Sequence, residues 1–362
     1  MTDIFKAIKR NNIKLVKECI DSGADLNEFR KLTLYESKTP LWYAIDEKCD
    51  IKLIELLLSY GARSYDEKIS ICGFEKYDIR VRSKLVKLLL SYGATIKPKS
   101  NYFDYLNYNE DIDFETLKLL VFNGANVNLK NKEGETLLDT LIDFYYKSKY
   151  IYPSVKLLIE HGAKVDIKTK YCSFYEDHKY TDHHDEIKGT LLHKAIIYSE
   201  DCQLISLLLK SGIDVNTKDE EGKTPLICAV RSSHPSIIKL LLSHGADVNA
   251  TDNFGRTALF YYIRYIESAE LLIKHGIDIN HQDNDGNTVL HYYFNSIRNN
   301  IGEHHYRRNT VLKEQVINLL LEQDNIDLTI KDNDGNTVIE SATSILKVKA
   351  SESTELIKMI EN

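Results

Sequence analysis

The chain has 362 residues, 43% hydrophobic and 28% charged, and its 54 acidic and 47 basic side chains give a formal net charge of −7. This balance is that of a folded globular protein, far from the polar, strongly charged compositions that stay disordered. It also argues against nucleic acid as the main partner, because no basic stripe is present to displace counterions.

Six cysteines, Cys19, Cys49, Cys72, Cys172, Cys202 and Cys228, stand far apart with no CxxC pair, and read as reduced cytosolic thiols. The opening Met1-Thr2-Asp3-Ile4-Phe5-Lys6 has no export pattern, and no stretch reaches the roughly 18 apolar residues of a membrane span. The expected location is therefore cytoplasmic, with no membrane partner and a monomeric state. Abundant Lys, Asn and Ile, 23 Tyr, 5 Pro and 1 Trp suggest an AT-rich genome such as that of a virus, an intracellular bacterium or a protist.

Along the chain, residues 3–22 set Ile4, Phe5, Ile8, Leu15 and Val16 among Lys6, Lys9, Arg10 and Lys14, the pattern of a terminal cap with one polar face. A first phrase, Asp21-Ser-Gly23-Ala-Asp-Leu-Asn27, follows an apolar helical run. It returns around Gly124, Gly162, Gly212, Gly245 and Gly276, with looser copies at Gly61 and Gly93. A second phrase starts at Thr39-Pro-Leu-Trp-Tyr-Ala-Ile45 and recurs from Thr190, Thr224, Thr257 and Thr288. Thr caps a helix whose first position tolerates Pro, and Gly ends the next helix. Between the phrases, Asp219 to Gly222, Asn253 to Gly255 and Asp283 to Gly286 form turn tips. The prediction is a helix pair and a projecting hairpin, repeated.

Glycines 61, 93 and 124 lie 32 and 31 residues apart, and 212, 245 and 276 lie 33 and 31 apart. The segment Gly222–Asn249 carries the Gly-x-Thr-Pro-Leu and Leu-Leu-Leu-x-x-Gly-Ala-Asp-Val-Asn phrases in order. On these residues the chain resembles the ankyrin-repeat family, whose repeat is about 33 residues long. The resemblance implies an all-α ankyrin-repeat solenoid with short β-hairpin fingers. We read ten units in a single domain: 1–27, 28–65, 66–97, 98–128, 129–166, 167–216, 217–249, 250–280, 281–328 and 329–362. The phrases are degraded in 63–80 and 94–116. The last unit repeats the tip and closes with Glu352, Glu355, Lys358 and Glu361, a second cap.

Two insertions stand out. Gly162 to Thr190 spans 28 residues against 12 from Gly212 to Thr224, placing an insertion at about 167–188; a second falls at about 295–315. Long loops serve recognition or simply tolerate drift. Cys172, His178, His183 and His184 in the first are possible zinc ligands, but their spacing fits no usual structural zinc pattern, so no metal is expected there. His304 and His305 in the second belong to the opposite end of the helices.

The family resemblance places a protein partner on the concave face of hairpins and first helices. The matching exposed positions here are Tyr43, Lys194, Cys228, Tyr261 and Tyr292, then Glu47, Tyr198, Arg231, Arg264 and Tyr265 one turn on. Tyr and Arg are enriched in binding hot spots, although aromatics equally fill cores. Asp219, Glu220, Glu221, Asp252, Asp283 and Asp285 at the tips form an acidic edge that favours a basic partner or is merely a solvated face. Asn128, Asn216, Asn249 and Asn280 match the asparagines hydroxylated in some ankyrin proteins, against the simpler role of fixing a turn.

No nucleophile–base–orienter set and no phosphate-cradling glycine loop is legible, so neither an enzyme nor a cofactor is expected. More narrowly, Thr288-Val-Leu-His-Tyr-Tyr-Phe294 and the Tyr-rich composition are similar to poxvirus ankyrin proteins, without the C-terminal F-box-like segment many of them carry. That implies a host-interaction protein that sequesters a cytosolic target. The alternatives are a ubiquitin-ligase substrate adaptor, a bacterial effector or a cellular adaptor.

Overall fold

The computed structural model describes residues 3–31, 37–63, 77–96, 114–131, 133–143, 150–172, 186–199, 201–232, 235–261, 266–298 and 310–346. They form two compact units, Met1–Ala163 and Lys164–Asn362.

In the first unit, α1 (Ile4–Lys9) and α2 (Ile13–Asp21) form the opening helix pair, followed by α3 (Pro40–Asp46) with α4 (Ile51–Ser59). Then come α5 (Ile79–Ser91), α6 (Phe114–Phe122) and the pair α7 (Leu137–Asp143) and α8 (Ile151–Glu160). The capping chemistry is as the sequence dictates: Thr39 Oγ1 accepts the Trp42 amide at 3.3 Å, with Pro40 in the first turn. Leu41, Leu53, Ile54, Leu57, Leu85, Leu89 and Leu117 are fully buried between successive helices. Finger strands β1 (Arg30–Lys31) and β2 (Ser37–Lys38) pair antiparallel. The first-helix regions of the third and fourth units fall mostly outside the described residues.

The second unit opens with a longer hairpin, β3 (Lys168–Cys172) against β4 (Glu186–Thr190), registered Lys168 to Thr190 and Cys172 to Glu186. Helices α9 (Leu191–Tyr198), α10 (Cys202–Lys210), α11 (Pro225–Ser232) and α12 (Pro235–Ser243) make two pairs. In the next repeat a 3-10 turn, Ala258–Phe260, stands where a first helix was expected, before α13 (Ile266–Lys274). Helices α14 (Val289–Arg298), α15 (Thr310–Leu321) and α16 (Val338–Leu346) follow. The insertion placed at 295–315 therefore begins and ends in helix, with α14 running to Arg298 and α15 starting at Thr310.

Two asparagine ladders tie successive repeats together. Asn216 donates to the Gly245 carbonyl at 3.0 Å and accepts the Asp247 amide at 2.8 Å; Asn249 repeats this on Gly276 and Asp278, and Asn280 on Asn325 and Asp327. Asn128 donates to the Gly162 carbonyl at 2.9 Å within the first unit. At the fingertips, Asn253, Asn284 and Asn333 donate to the carbonyls of Glu220, Asn253 and Asn284. These bonds satisfy backbone groups that no regular sheet covers, which makes the fingers a rigid row.

Candidate interaction surface

Glu47 is exposed, and the structure sorts the other expected contact residues into three groups. Tyr43 is buried, its ring 5.5 Å from that of Phe5 in the core of the first unit. Lys194 and Cys228 are buried as well, Lys194 to 1% exposure. The side chains of Arg231, Arg264 and Tyr265 lie outside the described residues. Tyr198, Tyr261 and Tyr292 are half-buried.

The expectation that Tyr43, Lys194 and Cys228 are open to a partner is thus corrected: Tyr43 packs on Phe5 of the opening helix, and the long hairpin is the reason for the other two. Its β3 strand lies over α9, with Thr169 Oγ1 accepting from Lys194 Nζ at 3.3 Å. Tyr171 is 3% exposed, lies parallel to the His193 ring at 6.1 Å, and donates its hydroxyl to Asp219 Oδ2 at 2.5 Å. Gly189 makes the fit possible, since a Cβ there would stand 2.7 Å from Tyr171 Cε1. The stem of the 167–188 insertion thus covers the inner face of its own repeat. Residues 173–185, with His178, His183 and His184, and the Cys172 side chain lie outside the described residues.

His193, Asp219 and Cys228 bring ligand-type atoms within 4.8 Å of one another. The ligand-type atoms of His193 and Asp219 are engaged in hydrogen bonds within the fold. His193 Nε2 faces the Lys223 carbonyl at 3.0 Å and so donates; Nδ1 then accepts from the Thr190 amide at 3.2 Å and lies 2.9 Å from its hydroxyl. Asp219 Oδ1 accepts the amides of Glu221 and Lys223, and Oδ2 takes Tyr171. Burial pushes the Cys228 thiol up to about 12 and holds His193 below the usual histidine value, while Asp219 opposes the latter shift.

The acidic edge is largely consumed within the fold. Asp252 and Asp283 are buried like Asp219, and each directs Oδ1 at two amides of its own tip. Their second oxygens take the Tyr261 hydroxyl and Arg256 Nε. Glu220 pairs with Lys188 at 3.1 Å and Glu221 with Lys223 at 2.5 Å. Of the six acids, Asp285 alone is both exposed and without an ion pair among the described residues.

What remains partly accessible is a mosaic of Phe254, Arg256, Tyr261 and Tyr292, backed by the buried Lys223. Lys223 Nζ lies 5.4 Å from the Tyr261 ring. Tyr261 leaves the 3-10 turn in extended conformation, which carries its hydroxyl back to Asp252. Burial, and then the bond to Asp252, raise the Tyr261 phenol far above its ordinary value, so it is a neutral donor. Arg256 sits 4.6 Å from the Tyr292 ring centroid and 5.2 Å from that of Phe254, whose side chain is exposed at its fingertip. Phe260, beneath, is 5.8 Å from Tyr292. The sequence reading missed Phe254, Lys223 and Arg256; the available signal was a basic residue directly before the capping Thr224 and Thr257.

Among the described residues no helix is long and apolar enough to cross a membrane. Residues 172–252 match a family model described as ankyrin repeats (3 copies), and residues 264–292 match one described as ankyrin repeats (many copies). Comparison with curated proteins gives no match.

Proposed function

We propose that this chain, which carries ankyrin repeats, is a protein–protein interaction scaffold that engages its partner through the fingers and first helices of residues 217–292. One observation carries the reading: Tyr261, Tyr292 and Arg256, of residue types that dominate hot spots, are half-buried there beside the exposed Phe254, on a backbone fixed by two asparagine ladders. Pre-organisation of this kind lowers the entropic cost of association. The same fold is generally non-enzymatic, and the closed His193 cluster offers no open site for chemistry.

The finer reading is a monomeric, cytoplasmic host-interaction protein of viral origin, with ten repeats over 1–362. It is supported by the Tyr-rich repeat phrases and by composition. A bacterial effector, a cellular adaptor or a ligase-linked adaptor uses the same surface. The test is affinity capture from animal-cell cytosol with the wild type and a Tyr261→Ala, Tyr292→Ala variant of unchanged helical circular dichroism. A protein retained by the wild type and lost by the variant supports the reading. Equal retention removes these two tyrosines from it.

A further inference from the structure

The mosaic contains one group whose hydrogen-bonding capacity is only partly used. Arg256 donates through Nε to Asp283 Oδ2 at 3.3 Å, and the Asp283 side chain is 1% exposed, so the anchor itself is fixed. The guanidinium carbon lies within cation–π distance of both Tyr292 and Phe254, and the Arg256 side chain is 23% exposed. A guanidinium carries five N–H donors in a planar fork. Among the described residues only Nε forms a hydrogen bond, so the edge formed by Nη1 and Nη2 is held in place and unspent.

Among the described residues no carboxylate other than that of Asp283 is paired with Arg256. Lys223 is paired with Glu221, Asp252 accepts the Tyr261 hydroxyl and two tip amides, and Asp283 holds Nε and two tip amides. An anchored, stacked guanidinium with its outer edge free is complementary in shape and charge to a planar carboxylate, which it binds by two parallel N–H···O bonds.

We infer that Arg256 reads a side-chain carboxylate, an Asp or Glu, on a partner segment laid along fingers 221–285, with Phe254 supplying an apolar contact beside it. This rests on the scaffold reading above and adds the partner's chemistry. It also departs from the sequence expectation of a basic partner surface, because five of the six tip acids are engaged within the fold and the spare donor is cationic.

The test uses the full chain and a random displayed-peptide library. The expected result is enrichment of peptides with Asp or Glu at one fixed position. A synthesised winner should lose roughly 30-fold or more in affinity on Arg256→Ala. Arg256→Lys, which keeps the charge and loses the fork, should also weaken it markedly. Replacing the peptide's acid by its amide should cost the wild type the same factor and cost Arg256→Ala nothing further. Matching helical circular dichroism and thermal unfolding separate recognition from misfolding. Peptides that compete with one another on the finger face yet bind all variants equally overturn the carboxylate role and leave the scaffold reading standing. No enrichment over library background overturns both.

Discussion

Replacing Gly189 by Ala tests how the insertion stem is docked. The backbone at Gly189 is not in the left-handed region, so a methyl group meets no conformational penalty and its whole cost comes from contact. That Cβ would stand 2.7 Å from Tyr171 Cε1, 3.2 Å from His193 Cγ and 3.3 Å from Asp219 Cβ. All three neighbours are buried, so the tyrosine ring must leave its slot and give up its bond to Asp219. Overpacking costs about 1–3 kcal/mol, and a lost hydrogen bond to a buried charged group about 1.5–3 kcal/mol. The two overlap, because the ring relieves the clash by breaking the bond, and we expect about 2–4 kcal/mol in all. Tyr171→Phe, which removes the hydroxyl alone, should cost about 1–3 kcal/mol, and the double variant should cost less than the sum because the sites share one contact. Hydrogen exchange of the α9 amides is the assay, since repeat arrays open locally and a global midpoint averages over units. Unchanged α9 protection in Gly189→Ala would refute the packing argument.

Three further outcomes are expected. Gly255→Ala should destabilise by about 1–3 kcal/mol, more than Gly245→Ala. Both glycines have positive φ, but only at 255 would the Cβ meet a neighbour, Asn284 Oδ1, at 2.4 Å; urea midpoints compare them. Burial holds His193 below its ordinary 6.5, so the unfolded chain takes up the proton first. Stability is then full above about pH 6.5 and falls as pH drops below it; a wild-type midpoint no more pH-dependent than that of His193→Gln would contradict this. Cys228, with its thiol pushed up to about 12 by burial, should resist iodoacetamide in the native chain at pH 8 and react after unfolding, as read by mass spectrometry.

Much of this fold is legible in the sequence because each repeat signals itself locally. Thr39 and Thr224 sit before Pro at helix starts, and Gly212, Gly245 and Gly276 follow helix ends, as predicted. The site was less legible, for reasons that are not local. Lys194 occupies a position exposed in a regular repeat, and only a hairpin folding back from the preceding insertion buries it. Thr257-Ala-Leu-Phe-Tyr reads like the helical phrase at Thr288, with no Gly or Pro to stop it, yet the helix yields to a 3-10 turn and a bond from Tyr261 to Asp252. Asp219, Asp252 and Asp283 were recognisable as turn residues. Their turn role consumes the charge that was also assigned to a partner.

The central claim is that the partner lies on the finger face of residues 217–292. A photo-cross-linking amino acid placed in the full chain at Phe254 or Tyr292 on that face, or at Lys239 or Glu270 on exposed second-helix surfaces, tests it directly in living cells. We predict a discrete higher-mass adduct from positions 254 and 292 and none from 239 and 270; adducts from 239 and 270 alone, or equally from all four, would contradict the account.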